Sequence, residues 1–140
     1  MKKKILIFGG SGAIGFSIAR NLKDQGYNPI IIARNKEDLI SKSEEINCNY
    51  EICDVLEIDQ IKEIALKHSE DVIGLAYCVG SINLRPLKIT KDQDFIDSFK
   101  INTLGAINAV KMNLKSLTDN NGSILFFSTI AVQQGFTNHS

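Results

Sequence analysis

Continuous apolar runs alternate with amphipathic segments along the whole chain. Ile14, Ile18 and Leu22 recur at helical spacing, whereas Ile30-Ile31-Ile32 is a continuous apolar run. Helical spacing predicts a one-sided helix, and the continuous runs predict strands that are covered on both faces. The predicted strands cover residues 4–8, 29–33, 49–53, 72–78 and 123–128. The predicted helices cover residues 13–25, 36–46, 57–68 and 91–117.

This alternation predicts an α/β domain with short right-handed crossovers. The expected fold is a Rossmann-like doubly wound parallel sheet of strand order 3-2-1-4-5, with helices on both faces and the ligand outside the carboxyl ends of the strands. Gly26 is expected to follow the end of the first helix as a C′ glycine. Thr90 and Gln93 have capping-box spacing at the start of the long last helix.

A glycine-rich turn follows the first predicted strand and opens the first helix. It reads Gly9-Gly10-Ser11-Gly12-Ala13-Ile14-Gly15. Glycines let the backbone turn sharply and approach a phosphate, and the helix N-terminus supplies free N–H groups and a positive dipole end. We therefore expect Gly9, Ser11, Gly12, Ala13, Ile14 and Gly15 to hold the pyrophosphate of a dinucleotide. The alternative is an ordinary tight turn between a strand and a helix.

Composition narrows the class of protein. Sixteen basic and sixteen acidic residues cancel in a chain of 140, so nucleic acid is not an expected partner. The three cysteines show no metal-binding or disulfide spacing and predict reduced thiols in a cytoplasmic protein. Two histidines far from those cysteines make a metal site improbable. No apolar stretch approaches membrane-spanning length, so we expect no membrane partner.

The ends of the second and third strands indicate the cofactor. An acidic residue after the second strand would favour a ribose 2′-hydroxyl, but this chain has Arg34-Asn35 there. A guanidinium pairs well with a phosphate, so we predict NADP(H) in preference to NAD(H). Asp54-Val55 could contact the adenine. The alternatives are a solvated Arg34 and an Asp54 that only caps the following loop and helix.

The glycine turn and Asp54-Val55 together resemble the short-chain dehydrogenase/reductase family of the single-domain type. Gly9-x-x-x-Ala13-x-Gly15 is similar to the family's TGxxxGxG turn, with Phe8 in place of Thr and Ala13 in place of the middle Gly. Asp54-Val55 matches the adenine-contacting pair. Tyr77-Cys78-Val79-Gly80 stands where the family has NNAG. The resemblance implies that Cys78, Val79 and Gly80 pass under the cofactor, without the asparagine that braces the strand.

The same resemblance implies catalytic residues in two further segments. Asn102 in Ile101-Asn102-Thr103-Leu104-Gly105 matches the asparagine that sits at a helix kink and binds a water leading to the catalytic lysine. Phe127-Ser128-Thr129-Ile130-Ala131 matches ISSxA, so Thr129 would orient the substrate, and Ser128 could replace it. The alternatives are a solvent-facing Asn102 and two ordinary strand-end hydroxyls.

The family's chemistry also requires a Tyr-x-x-x-Lys pair. Neither Tyr27, Tyr50 nor Tyr77 is followed by a lysine four positions on. We therefore expect residues 1–140 to form a dinucleotide-binding domain that is incomplete at its C-terminal end, a fragment inactive without that pair. A chain that truly ended at Ser140 would instead be a non-catalytic nucleotide-binding module.

The expected function is that of an NADP(H)-dependent oxidoreductase that acts on a carbonyl or alcohol substrate. The resemblance also implies a homo-oligomer that pairs through the long helix at residues 91–117. A second enzyme class stays open, because Gly9-x-x-Gly12-x-x-Gly15 also fits the turn of nucleotide-sugar epimerases and dehydratases.

Overall fold

Five parallel strands form the centre of the molecule, whose computed structural model describes residues 3–137. The strands are β1 (Lys4–Phe8), β2 (Asn28–Ala33), β3 (Asn49–Ile52), β4 (Val72–Tyr77) and β5 (Ser123–Phe126). They pair in the order β3-β2-β1-β4-β5, and every neighbouring pair is parallel. This confirms the predicted fold class and strand order.

Five α-helices connect and cover the strands. They are α1 (Ala13–Asp24), α2 (Lys36–Ile46), α3 (Ile58–Lys67), α4 (Asp92–Phe99) and α5 (Gly105–Asp119). Short 3₁₀ turns lie at Leu87–Ile89 and Ile130–Val132. The first helix ends before Gly26, which adopts a left-handed conformation with φ +83°, as predicted. None of the helices within residues 3–137 is long and apolar enough to cross a membrane.

Alternate residues of β1, β2 and β4 enter two separate hydrophobic cores. Ile7 and Ile31 pack with Ala19 and Leu39 on the α1 and α2 side of the sheet. Because successive strand residues point to opposite faces, their neighbours pack with residues of α3 and α5 on the other side. That second core contains Leu6, Phe8, Ile30, Ile32, Ile61, Ile64, Ala106 and Ala109. The continuously apolar strands therefore pack against helices on both faces of the sheet. These helices begin after the carboxyl ends of the strands and hold the connecting turns at that edge.

The predicted helix at 91–117 is present as an unbroken helical run whose helix type changes around Asn102, where the resemblance implied a kink. Only the predicted capping box was wrong. A π-helical segment at Lys100–Leu104 separates α4 from α5. Helix α4 begins after Lys91 rather than Thr90, and the Asp94 carboxylate accepts a hydrogen bond from the Lys91 N–H at 3.0 Å. The Thr90 hydroxyl instead donates to the Pro86 carbonyl oxygen at 3.1 Å.

Candidate cofactor site

A cleft of about 690 Å³ lies along the carboxyl ends of β1, β2, β3 and β4. Most of the predicted cofactor-binding residues line it: Gly9, Ser11, Gly12, Arg34, Asn35, Asp54, Val55, Cys78, Val79 and Gly80. Separate turns after four neighbouring strands contribute these residues, because parallel strands bring their carboxyl ends to one edge. The structure therefore groups residues that are up to seventy positions apart in the sequence.

The glycine turn is held tightly between β4 and α1. Gly9 has φ +78°, and a Cβ at this position would lie 2.8 Å from the Cys78 carbonyl carbon and oxygen. A Cβ on Gly15 would lie 2.4 Å from the Gly9 carbonyl oxygen. Both positions thus lack room for any side chain. Gly9, Ser11 and Gly12 of the turn line the cleft, so a phosphate group could approach the turn backbone closely.

The N-terminus of α1 supplies the donors for such an anion. Gly12 is the N-cap and gives the helix no side-chain cap, and the first turn contains no acidic residue. The N–H groups of Ala13, Ile14 and Gly15 have no acceptor within the helix, since the first helical N–H groups never do. With the positive end of the helix dipole, they form a donor set that fits a diphosphate. These three residues do not themselves line the cleft.

Arg34 and Asp54 face each other at the ends of β2 and β3. The Arg34 Nη1 lies 3.9 Å from the Asp54 Oδ2, and the Arg34 side chain is 75% exposed. The other Asp54 oxygen, Oδ1, accepts from the Leu56 N–H at 3.0 Å. Asp54 therefore orders the loop after β3 while its second oxygen faces the guanidinium. It does not cap α3, whose N-cap is Glu57.

Asn35 serves as the N-cap of α2. Its Oδ1 accepts from the backbone N–H groups of Glu37 and Asp38 at 2.9 Å and 3.2 Å. The side-chain oxygen is thus engaged within the protein. The Asn35 backbone carbonyl is also engaged, since it accepts from the Leu39 N–H at 3.2 Å, so the side-chain amide nitrogen is the donor that could serve a ligand.

The end of β4 is braced by a side chain that the sequence interpretation did not identify. Tyr77 is only 4% exposed, and its hydroxyl donates to the Ile101 carbonyl oxygen at 2.6 Å. Burial raises the pKa of Tyr77, so the phenol remains a donor at neutral pH. The strand lacks the family's asparagine, and Tyr77 joins it to the π-helical segment instead. The sequence feature that could have indicated this role is the hydroxyl of Tyr77 at the end of an otherwise apolar strand, because a buried hydroxyl requires a hydrogen-bond partner.

Burial disfavours ionisation of the two thiols near the cleft. Burial raises the pKa of Cys78 to about 11, and burial together with the Asp54 charge raises the pKa of Cys53 to about 11. Both thiols are therefore protonated near pH 7. Because the thiolate is the form that acts as a nucleophile or metal ligand, neither thiol is suited to these roles. Within residues 3–137, no group of three or more potential ligands is arranged to hold a metal ion.

Asn102 lies in the π-helical segment, where it binds the loop after β4. Its Oδ1 accepts from the Ser81 N–H at 2.8 Å, and its Nδ2 donates to the Ser81 carbonyl oxygen at 2.9 Å and to the Ser98 hydroxyl at 3.0 Å. Ser81 and Ile101 line the cleft, whereas Asn102 does not. Both cleft residues were missed because their place there depends on contacts that are distant in sequence.

Ser128 and Thr129 follow β5 and are not among the residues that line the cleft. The Thr129 hydroxyl accepts from the Ala131 N–H at 3.2 Å and caps the 3₁₀ turn at Ile130–Val132. The structure does not join these two hydroxyls to the cofactor-binding residues, and their catalytic role stays a prediction.

Comparison with known proteins agrees with this geometry. The family model for short chain dehydrogenases matches residues 3–140. The chain is 30% identical over 141 residues to a mouse (Mus musculus) 3-oxoacyl-[acyl-carrier-protein] reductase, which covers 96% of this chain and 59% of the relative. It is 28% identical over 140 residues to carbonyl reductase family member 4 of Xenopus laevis, with the same coverage of 96% and 59%.

A solved structure shows the same fold. The crystal structure of an actinorhodin polyketide ketoreductase variant with NADPH superposes with a TM-score of 0.88 at 21% identity, covering 99% of this chain and 57% of that protein. The chain spans 59% of the length of the two relatives above. The family model covers nearly every residue of the sequence, and the chain belongs to the short-chain dehydrogenase family.

Proposed function

We propose that this chain is the cofactor-binding part of an NADP(H)-dependent oxidoreductase that acts on a carbonyl or alcohol. The observation that carries the proposal is the position of Arg34. Its guanidinium stands at the end of β2, beside the cleft that also contains the glycine turn and Asp54. A cation at this place favours a 2′-phosphate, whereas an acid would favour a free 2′-hydroxyl.

We assign the other cleft residues to different parts of the cofactor. The first-turn N–H groups of α1 hold the pyrophosphate, and Asp54 and Val55 contact the adenine. The backbone of Cys78, Val79 and Gly80 supports the part of the cofactor that lies beyond β4. The bound nicotinamide supplies or accepts the hydride. NAD(H) would use the same pyrophosphate donors but would gain nothing from Arg34.

The residues proposed for catalysis act on the substrate and on the proton. Thr129, or Ser128 in its place, would donate to the substrate oxygen and orient the carbonyl. Asn102 forms hydrogen bonds with Ser81 and Ser98. We therefore assign it two roles: it holds the loop after β4 beside the cofactor, and it binds the predicted proton-relay water. None of the three tyrosines has a lysine four positions on, so these 140 residues are assigned binding and orientation. The names of the relatives, both reductases, support a carbonyl substrate class.

The proposed homo-oligomer rests on apolar residues of the helices that carry Asn102. Phe95, Ile96 and Phe99 of α4 are 44%, 47% and 56% exposed, and Ile107 and Leu114 of α5 are 51% and 52% exposed. Exposed apolar side chains of this size on one helical unit favour association. We also propose a cytoplasmic location, supported by the free thiols of Cys48, Cys53 and Cys78.

Titration of the purified chain with NADPH and with NADH tests the cofactor assignment, with binding read by calorimetry. We expect NADPH to bind at least about tenfold more tightly, since a charged hydrogen bond contributes roughly 1.5–3 kcal/mol. Arg34→Ala should remove this preference and leave NADH affinity nearly unchanged, because it removes the cation without adding an acid that would bind the ribose 2′-hydroxyl. A wild-type preference for NADH would contradict the proposal. Binding of neither dinucleotide would contradict the cofactor site as a whole.

A further inference from the structure

A lysine of the second helix reaches the glycine turn from outside it. Lys42 lies on α2, and its Nζ donates a hydrogen bond to the Ser11 carbonyl oxygen. The same Nζ lies 5.2 Å from the centroid of the Phe16 ring on α1. Helical side chains lean toward the N-terminus of their helix, so Lys42 reaches back toward the start of α2, where Asn35 lines the cleft.

The Lys42 ammonium has neutral partners only. The ion pairs found among residues 3–137 do not include it. Glu45, three positions on, pairs instead with Arg20. An ammonium carries three donors and a full charge, and the Ser11 carbonyl takes one donor. The Phe16 ring contacts the cation without neutralising it, so the positive charge has no anionic partner among these contacts.

A phosphate bound on the Ser11 side of the cleft would be stabilised by a nearby cation. The glycine turn contains no basic residue. Asp38, one helical turn before Lys42, lines the cleft with Ser11 and Arg34. Its carboxylate would repel a phosphate, and a second cation would offset that repulsion.

We propose that Lys42 is a second binding residue for the 2′-phosphate of NADP(H), acting together with Arg34. The inference rests on the proposed NADP(H) preference and deepens it by naming a specificity-determining residue. Lys42 is not itself among the residues that line the cleft, but Ser11 is, and the Ser11 carbonyl oxygen accepts the hydrogen bond from the Lys42 ammonium.

The test compares two small probes that differ by the 2′-phosphate alone, adenosine 2′,5′-bisphosphate and 5′-AMP. Calorimetry gives both dissociation constants for the wild type, Lys42→Met, Lys42→Arg and the control Lys115→Met. Lys115 lies on α5 and pairs with Asp119. We expect Lys42→Met to weaken the bisphosphate about tenfold and to leave 5′-AMP unchanged. Lys42→Arg should retain the bisphosphate within about threefold, and Lys115→Met should change neither probe.

Three other results would overturn the Lys42 inference. If the wild type binds the two probes equally, the NADP(H) preference fails and the role of Lys42 fails with it. If the wild type prefers the bisphosphate, Arg34→Ala abolishes that preference and Lys42→Met changes it by less than about twofold, the Lys42 inference alone is overturned. Equal weakening of both probes by Lys42→Met would show that Lys42 only shapes the glycine turn, and would also overturn it.

Discussion

The hydroxyl of Tyr77 donates a hydrogen bond to the carbonyl oxygen of Ile101 at 2.6 Å. This contact joins the end of β4 to the π-helical segment Lys100–Leu104. A π segment interrupts the regular helical hydrogen-bond ladder, and a buried carbonyl in it needs a donor. The ring of Tyr77 also lies 6.2 Å from that of Phe8 on β1. One side chain thus connects the sheet to the π-helical segment through Ile101, which lines the cleft.

Removing this hydroxyl should destabilise the fold without removing the ring. Tyr77→Phe keeps the apolar packing and removes the hydrogen bond from the hydroxyl to the Ile101 carbonyl, which costs about 1–3 kcal/mol. Urea unfolding measures the loss. Tyr27→Phe is the matched control, because Tyr27 is the same residue type packed against the other core. Equal stability of Tyr77→Phe and the wild type would contradict the bracing role.

Gly105 provides the space that the Tyr77 hydroxyl occupies. A Cβ on Gly105 would lie 2.3 Å from that oxygen and 3.3 Å from Val55 side-chain atoms. We expect Gly105→Ala to cost about 1–3 kcal/mol as an overpacking change. In a Tyr77→Phe background the cost should be smaller by at least about 1 kcal/mol, because the closest atom is gone.

A double-mutant cycle of unfolding free energies measures this coupling. Gly135→Ala is the control, since no atom lies within 4 Å of a Cβ built there. Strict additivity of Tyr77→Phe and Gly105→Ala would show that the hydroxyl and the glycine do not constrain each other.

The glycine turn should be more sensitive at Gly15 than at Gly12. A Cβ on Gly15 would lie 2.4 Å from the Gly9 carbonyl oxygen, whereas one on Gly12 would lie 3.3 Å from the same atom. Gly15→Ala must therefore displace backbone, and we expect at least about tenfold weaker NADPH binding and about 1–3 kcal/mol lower stability. Gly12→Ala, the matched control for stability alone because Gly12 itself lines the cleft, should lower the free energy of unfolding much less. The reverse order would contradict the packing described for the turn.

A partly buried ion cluster should make stability depend on acid pH. Glu51 on β3 contacts the Nε2 of His68 at 2.7 Å and the Nζ of Lys67 at 2.8 Å. Burial raises the pKa of Glu51, but the hydrogen bonds and charges of Lys67 and His68 outweigh it and hold the pKa below its ordinary value. A lowered folded-state pKa stabilises the protein above the unfolded pKa of about 4.3, and this contribution is lost as pH falls through the folded value.

Glu51→Gln tests that dependence. At pH 7 we expect it to cost about 1–3 kcal/mol, and the difference from the wild type should shrink as the pH falls below about 4. Urea unfolding across pH 3–7 measures both. Glu63→Gln, at an exposed position of α3, should change stability little at any pH. A Glu51→Gln deficit that stayed constant through the acid range would contradict the charge-based account.

The sheet could be predicted from the sequence because its signal is local. Ile5-Leu6-Ile7-Phe8 and Ile30-Ile31-Ile32 are continuous apolar runs, and short connections through helices leave few topologies. The glycine turn was predictable for a similar reason, since the positive φ of Gly9 and the contact of Gly15 with the Gly9 carbonyl oxygen are local to one seven-residue segment.

Features set by contacts distant in sequence were not predictable. The resemblance implied a kink at Asn102, but the contacts of the π-helical segment with Tyr77 and Ser81 have no local periodicity and could not be predicted. The start of α4 depends on Asp94 reaching the Lys91 N–H, and Thr90 has capping-box spacing but bonds to Pro86 instead. Lys42 is an ordinary helix-surface lysine until α1 and α2 are packed together.

The most direct test of the cofactor site is a two-dimensional ¹H–¹⁵N NMR titration of the chain with NADPH. The account predicts that the largest shift changes occur at the amides of Gly12, Ala13, Ile14 and Gly15, together with those of Arg34, Asp54 and Gly80. Amides at the opposite edge of the sheet, such as Asp71 and Asn121, should stay unchanged. Shifts centred on that opposite edge, or no shifts at saturating NADPH, would contradict the assignment of the cleft.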